Sequence, residues 1–273
     1  MDNQKADIKQ PKIIIEEAKI LDNFQLSPNI YQLDLLAPRI SETIVAGQFV
    51  MLKLSETYDP FLKRPFGVNG IDRTNGILRF IYFVRGRGTR FLSEFPEGSG
   101  IELIGPLGNG WEVNPENYHV LIVGGGSGIA PLLPLSKELH SAKIETDILL
   151  GATTGEALFD LEEFKKCGYM RITTEDGSEG ETGVVTDILP ADPVYDAVYV
   201  CGPKAMMAAV AEWAERNGIP CQVSMEEHMG CGIGTCMGCV CAIHDTERKN
   251  KDGIAYKRIC KEGPVFDSRE VAF

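Results

Sequence analysis

The chain has 273 residues, 44% of them hydrophobic and 24% charged, and its 27 basic against 39 acidic side chains leave a formal charge of −12. That length suits about two ordinary domains with their own cores, and the acidic balance, with a pI near 4.9, argues against nucleic acid or a membrane surface as a partner. The opening "MDNQKADIKQ" carries no apolar h-region, so a cytoplasmic chain is expected, and eight cysteines there imply metal or redox work rather than a disulfide frame. The longest uncharged run, Tyr118 to Ser136, holds four glycines and two prolines and is not read as a membrane span.

From Ile13 to Ile104 the pattern is one of short strands. "YQLDLL" (31–36), "QFVMLKL" (48–54) and "ILRFIYFVR" (77–85) alternate or concentrate β-forming residues, and turns such as "NG" (69–70) and "TNG" (74–76) separate them. Regular short strands predict an antiparallel barrel or sandwich. Two segments there carry ligand chemistry. "RPFGV" (64–68) offers Arg64 for a phosphate and Phe66 as an aromatic face. "VRGRGTRFLSEF" (84–95) offers a Gly86/Gly88 turn and Thr89 as the cap of a short helix. Each alone would equally be a surface arginine or an ordinary capped helix.

After "GPLGNGW" (105–111), which reads as a boundary, strands and helices alternate. "HVLIVGGG" is a strand entering glycines, "PLLPLSKELH" a helix, "TDILLGA" (146–152) a strand and "FDLEEFKKCG" (159–168) a helical stretch. "YDAVYVCGP" (195–203) leads into the helix "KAMMAAVAEWAERNG" (204–218), closed by Gly218. This alternation predicts a parallel βαβ sheet. Its first glycine turn, Gly124, Gly125, Gly126, Ser127 and Gly128, brings bare N–H groups and a helix start together, as a pyrophosphate requires. Ile129 stands where a third fingerprint glycine would fall, so the Rossmann pattern fails and a ligand-free turn remains an alternative. Cys201, Gly202 and Pro203 form a second turn at a strand's C-terminal edge, where open α/β sheets bind nucleotides. "GATTGEALFD" (151–160) offers no arginine for a 2′-phosphate, which favours NAD over NADP.

The last piece, 226–273, contains "HMGCGIGTCMGCVC". Cys231, Cys236 and Cys239 stand as C-x4-C-x2-C and Cys260 follows after twenty residues, the plant-type [2Fe-2S] spacing. Structural zinc usually takes two short knuckles, and one is present; Gly230, Gly232, Gly234 and Gly238 further suit a loop wrapped around an inorganic core. Cys241 competes with Cys260 but reads as a buried strand thiol, and Cys167 and Cys221 read as core. The charged run "DTERKNKDG" (245–253) reads as a hairpin tip. His119, His140, His228 and His244 are isolated and read as structural. A nicotinamide carries two electrons and a [2Fe-2S] cluster one, so a flavin must convert between them, and the β-rich part is the region left to hold it.

The order R-P-F-x-V, G-x-G-T, G-G-G-S-G-I-A-P, C-G-P and C-x4-C-x2-C…C resembles the ferredoxin–NADP reductase superfamily, and within it the electron-transfer subunits of type B dihydroorotate dehydrogenase. The resemblance covers nearly the whole chain and is most specific in "CGIGTCMGC" and "RICKEGPVF" (258–266). It implies a flavin-binding barrel over 11–110, an NAD-binding α/β domain over 111–225 and a [2Fe-2S] domain over 226–273. It implies FAD on Arg64, Pro65, Phe66, Gly67, Ile81, Tyr82, Phe83, Gly88 and Thr89, and the cluster on Cys231, Cys236, Cys239 and Cys260. The family usually has serine where this chain has Gly67, and the span from Cys239 to Cys260 is longer than the family's. The implied role is a conduit in pyrimidine biosynthesis, from a partner FMN-containing dihydroorotate dehydrogenase subunit through cluster and FAD to NAD⁺, in a heterotetramer with two copies of each chain. Two other readings stand beside it: a similar subunit of a hydrogenase or ferredoxin:NAD(P) oxidoreductase, and a zinc-stabilised protein without redox chemistry.

Overall fold

The computed structural model describes residues 12–55, 57–246, 250 and 252–273. The segment "MDNQKADIKQ" and positions 247–249 and 251 of the charged run lie outside them. Among the described residues, β1 (Ile14–Ser27), β2 (Ile30–Leu36), β3 (Phe49–Lys53), β4 (Arg64–Gly67), β5 (Gly70–Asp72), β6 (Ile77–Phe83) and β7 (Gly100–Leu107) make one antiparallel sheet, ordered β4-β3-β7-β1-β2-β6-β5. The sheet curls on itself: β4 and β5 are its edges, yet they are joined by two residues, whose N–H groups donate to Gln48 and Arg79 carbonyls. Inside the curl lie Ile20, Leu33, Leu35, Val50, Leu52, Phe66 and Phe80, all drawn from this part of the chain. Full burial of each such aliphatic or aromatic side chain contributes about 1.5–3 kcal/mol.

β1 shows why its sequence does not alternate cleanly. Glu16 occupies an inward position, and its two carboxylate oxygens accept the N–H groups of Arg39 and Ile40 at 2.9 and 2.8 Å, satisfying the start of the 38–41 helix.

The second sheet has the order β11 (Glu181–Thr182), β10 (Tyr169–Thr174), β9 (Glu145–Ala152), β8 (His119–Gly125), β12 (Ala197–Cys201), β13 (Cys221–Ser224) and β16 (Val265–Asp267). β16 is antiparallel, and the other six are parallel. Chain order runs outward from β8 through β9 and β10, then reverses to β12 on its other side, so the turns after β8 and β12 flank the switch point. The helix Leu132–Ser141 buries Leu132, Leu133, Leu135 and Leu139 against one sheet face, and the helix Lys204–Arg216 buries Met207, Val210 and Trp213 against the other. The stretch read as helical over 159–168 keeps helix only over Leu161–Lys165, because Asp160 takes φ of +57° and stops the turn N-terminal to it.

The cysteine-bearing piece contributes the hairpin β14 (Val240–His244) and β15 (Ile254–Arg258), as the charged tip suggested. It does not build a core of its own. Cys239, Cys241, Ile259, Cys260 and Phe266 share one apolar cluster with Phe49 and Met51 of the barrel, Val223 of the parallel sheet and Met225 just beyond it. Two asparagines fasten the three parts. Asn69 donates to the Ala130 carbonyl at 3.1 Å and to Asp160 at 3.0 Å. Asn109 donates to the Glu262 and Val265 carbonyls and accepts the Val265 N–H. Among the described residues no helix is long and apolar enough to cross a membrane.

Candidate functional site

The cysteine loop brings its four predicted ligands together in two pairs. The Cys236 N–H donates to the Cys231 sulfur at 3.4 Å, and the Cys260 N–H to the Cys239 sulfur at 3.5 Å. Cys260 arrives on the short helix Ile259–Glu262, whose start is fixed by the Ile259 N–H donating to the Cys239 carbonyl at 2.8 Å. Backbone N–H groups point at the sulfurs: Gly234 at Cys260 (3.1 Å), Thr235 and Cys236 at Cys231 (3.3 and 3.4 Å). Burial opposes charge on Cys231, yet the N–H groups of Cys236, Ile233 and Thr235 outweigh it and bring that thiol down to about 6. Burial, then the adjacent Cys239 thiol, push Cys260 up to about 12. An all-sulfur donor set in two pairs, surrounded by N–H groups, fits a two-iron cluster, in which each four-coordinate iron needs two thiolates beside its bridging sulfides. Cys241 lies outside these pairs, buried in β14.

The loop borders a cleft of about 370 Å³ where all three parts of the chain meet, within the range of ligand pockets. Pro65 and Gly67 of β4 form one wall, Pro131 and Cys201 another, and the 224–229 segment with Pro264 closes it. Strand alternation puts Pro65 and Gly67 on the cleft side and Phe66 on the opposite side. Phe66 is therefore not the aromatic face that "RPFGV" suggested: it packs edge-on against Phe80 and Tyr82 in the barrel interior, with ring centroids 6.3 and 5.8 Å away. On β6, Tyr82 likewise points inward and donates to Asn23 at 2.8 Å, while Ile81 and Phe83 face the nucleotide-binding side. Arg64 lies over Gly88, where an added Cβ would be 2.8 Å from its Nε, so the two segments singled out separately in sequence meet. Thr89 is not the N-cap of its helix. It sits in the first turn of Arg87–Ser93, and its hydroxyl accepts the N–H groups of Arg85 and Gly86 at 3.1 and 3.3 Å.

The two glycine turns press against each other. A Cβ on Gly128 would fall 2.4 Å from the Cys201 carbonyl, and one on Gly125 would strike Met206 of the helix that follows Pro203. Gly126 has open space beside it, so the turn keeps an accessible backbone edge. A single 3-10 turn, Gly126–Ile129, precedes the helix, so Pro131 sits at its cap rather than inside its first turn.

A model of the iron–sulfur cluster binding domain of dihydroorotate dehydrogenase B matches residues 226–272, and one of an oxidoreductase NAD-binding domain matches 122–212. The dihydroorotate dehydrogenase B (NAD(+)) electron transfer subunit of Caldanaerobacter subterraneus subsp. tengcongensis is 40% identical over 258 residues, 94% of this chain and 98% of that protein. Its counterpart from Geobacillus kaustophilus is 39% identical over 249 residues, 90% and 94% of the two chains. This chain belongs to the family of dihydroorotate dehydrogenase B electron transfer subunits. Its architecture also matches a chain of the NADH-dependent reduced ferredoxin-NADP oxidoreductase, with a TM-score of 0.82, 31% identity and coverage of 93% and 89%.

Family membership leaves several contacts that the sequence did not suggest. Asn69 and Asn109 are polar residues in turn-like segments, and their role emerges only when distant carbonyls converge on them. Glu226 and His228 line the cleft. A signal for Glu226 was present: "SMEEH" follows a parallel strand at the sheet edge where α/β folds bind ligands.

Proposed function

We propose that this chain carries electrons from a partner FMN-containing dihydroorotate dehydrogenase subunit to NAD⁺, with a [2Fe-2S] cluster and FAD as its own carriers. The FAD exchanges electron pairs with the nicotinamide and single electrons with the cluster. The observation that carries the reading is the junction cleft, where the barrel edge, Pro131 at the helix start beyond the first glycine turn, Cys201 of the second turn and the cysteine piece all contribute walls.

In this reading Cys231, Cys236, Cys239 and Cys260 hold the cluster, and N–H groups of the loop stabilise the sulfur charge. Arg64, beside Gly88, takes an FAD phosphate. Pro65, Gly67 and the backbone of 81–83 seat the flavin, with Thr89 ordering the loop beneath. Phe66 acts from behind, by fixing the strand. Gly124 to Gly128 and Cys201 to Pro203 receive the nicotinamide nucleotide at the switch point. We assign 11–110 to FAD, 111–225 to NAD and 226–273 to the cluster. The complete assembly is a cytoplasmic heterotetramer with two copies of each chain, since the cysteine piece shares its core with its neighbours and leaves Cys236 exposed for a partner to cover.

The test is co-expression with the catalytic subunit, followed by size-exclusion chromatography and a visible spectrum. The expected result is one complex with flavin and iron–sulfur bands that makes NADH from dihydroorotate. A colourless chain that ignores the catalytic subunit would overturn the reading.

A further inference from the structure

Gly234 links the two sulfur pairs. Its own N–H donates to the Cys260 sulfur at 3.1 Å, and the next N–H along, that of Thr235, donates to the Cys231 sulfur at 3.3 Å, so one residue reaches a thiol of each pair. The Gly234 carbonyl belongs to the same peptide unit as the Thr235 N–H. Whatever grips that carbonyl therefore also aims and polarises a hydrogen bond to sulfur.

Arg258 grips it. This residue ends β15 and immediately precedes the helix Ile259–Glu262 that carries Cys260. Its Nη1 donates to the Gly234 carbonyl at 2.7 Å, while Nε donates to Glu262 Oε2 at 2.9 Å and Nη2 to the other carboxylate oxygen. The Arg258 backbone N–H donates to Glu262 as well, at 2.8 Å. An exposed pair at this spacing contributes only about 0.3–0.5 kcal/mol. Here both partners are partly buried, and the rigid guanidinium fork spends two edges on the carboxylate and the remaining one on the cysteine loop. Two neighbouring cations are placed differently: Lys257 pairs with Glu270, and Lys261 lays its carbon stem over Gly234.

We propose that Arg258 is a positioning residue for electron transfer, holding and polarising the 234–235 peptide so that charge on the Cys231 sulfur is stabilised when an electron arrives. This rests on the reading above that the four cysteines hold a [2Fe-2S] cluster. One electron enters from the partner subunit and leaves to FAD, and neither a proton nor a bond moves with it. The added negative charge is shared by the sulfurs, where an oriented N–H and a partly buried cation favour it. Glu262 has two opposed effects. It locks the fork in place, and its own charge offsets part of the Arg258 charge.

The test is a potentiometric titration of the purified holo-chain, followed by electron paramagnetic resonance of the reduced cluster, with iron analysis of every variant. Arg258→Gln is expected to lower the equilibrium constant for one-electron reduction at least ~10-fold, about 59 mV in potential, with iron retained. Arg258→Lys keeps the charge without the fork and should give a smaller fall. Glu262→Gln should raise the potential, because the cation stays on the Gly234 carbonyl and loses its counter-charge. Lys261→Gln removes an equal charge from the same helix without touching the peptide, and should shift the potential less than Arg258→Gln does. A purely structural clamp would give Arg258→Gln and Glu262→Gln the same sign. That result, an unchanged potential in Arg258→Lys, a Lys261→Gln shift as large as that of Arg258→Gln, or loss of iron from both Arg258 variants would overturn the proposal. A parent chain with no cluster signal would overturn the cluster reading with it, whereas a parent chain with the signal and variants of unshifted potential would overturn the proposal and leave that reading intact.

Discussion

At Gly128 a methyl group would strike the Cys201 carbonyl at 2.4 Å, whereas at Gly234 it would meet the Lys261 side chain at 2.8 Å on a backbone with φ of +82°. The two glycine-rich loops thus need glycine for different reasons. At Gly125 and Gly128 the demand is proximity: two βα turns must touch at the switch point, and at Gly128 rigid backbone cannot give way. In 230–238 the demand is handedness: the chain must turn repeatedly to aim N–H groups at sulfur, and Met237 as well as Gly234 takes a positive φ there. A nucleotide turn is shaped mainly by the protein around it, and the cysteine loop mainly by what it encloses.

The largest expected effect breaks the second loop at its donors. Cys260→Ser should abolish the cluster, because the thiol paired with Cys239 is lost and no other described thiol stands in its place. Iron analysis and electron paramagnetic resonance of the reduced protein would read this, and full occupancy would refute the ligand set. Next comes Gly128→Ala, which overpacks backbone against backbone and should cost about 1–3 kcal/mol in denaturant unfolding. It should also weaken NAD⁺ binding, because the turns must part. A smaller effect is expected from Gly234→Ala: Lys261 can move, leaving a handedness cost of about 1–2 kcal/mol with the cluster still assembled. If Gly234→Ala proved costlier than Gly128→Ala, the contrast between the loops would be wrong. The smallest effect on the metal site is Cys241→Ser, which should keep the iron content and resonance signal of the parent chain.

The features most legible in the sequence were those with a local cause. The spacing of Cys231, Cys236, Cys239 and Cys260, the strand–glycine–helix order around Gly124, and the alternation in "ILRFIYFVR" each follow from short-range chemistry, and the fold agrees with the reading of the last two. Features set by distant partners were hidden. Phe66 lies on the far side of its strand because of how β4 pairs with β3, and nothing within "RPFGV" states that register. β1 was obscured by Glu16, a buried carboxylate whose partners are 23 and 24 residues away. β16 joins the nucleotide-binding sheet from the far end of the chain, so the cysteine piece is tied to it more closely than composition suggests. Thr89 stands three residues beyond the cap, where its hydroxyl reaches back to the N–H groups of Arg85 and Gly86 instead of forward into the first turn as a cap hydroxyl does.

The most direct test of the central claim separates the hydride step from the one-electron step in one variant. With Cys236→Ser in the complex, FAD and fold retained, NADH should still bleach the flavin in a stopped-flow cell, since that exchange involves only nicotinamide and FAD. Dihydroorotate should still reduce the catalytic partner yet yield almost no NADH, because the route from that partner to the FAD is cut. NADH formation at the parent rate would mean that the cluster is structural, and would contradict the account of residues 228–241 as the path between them.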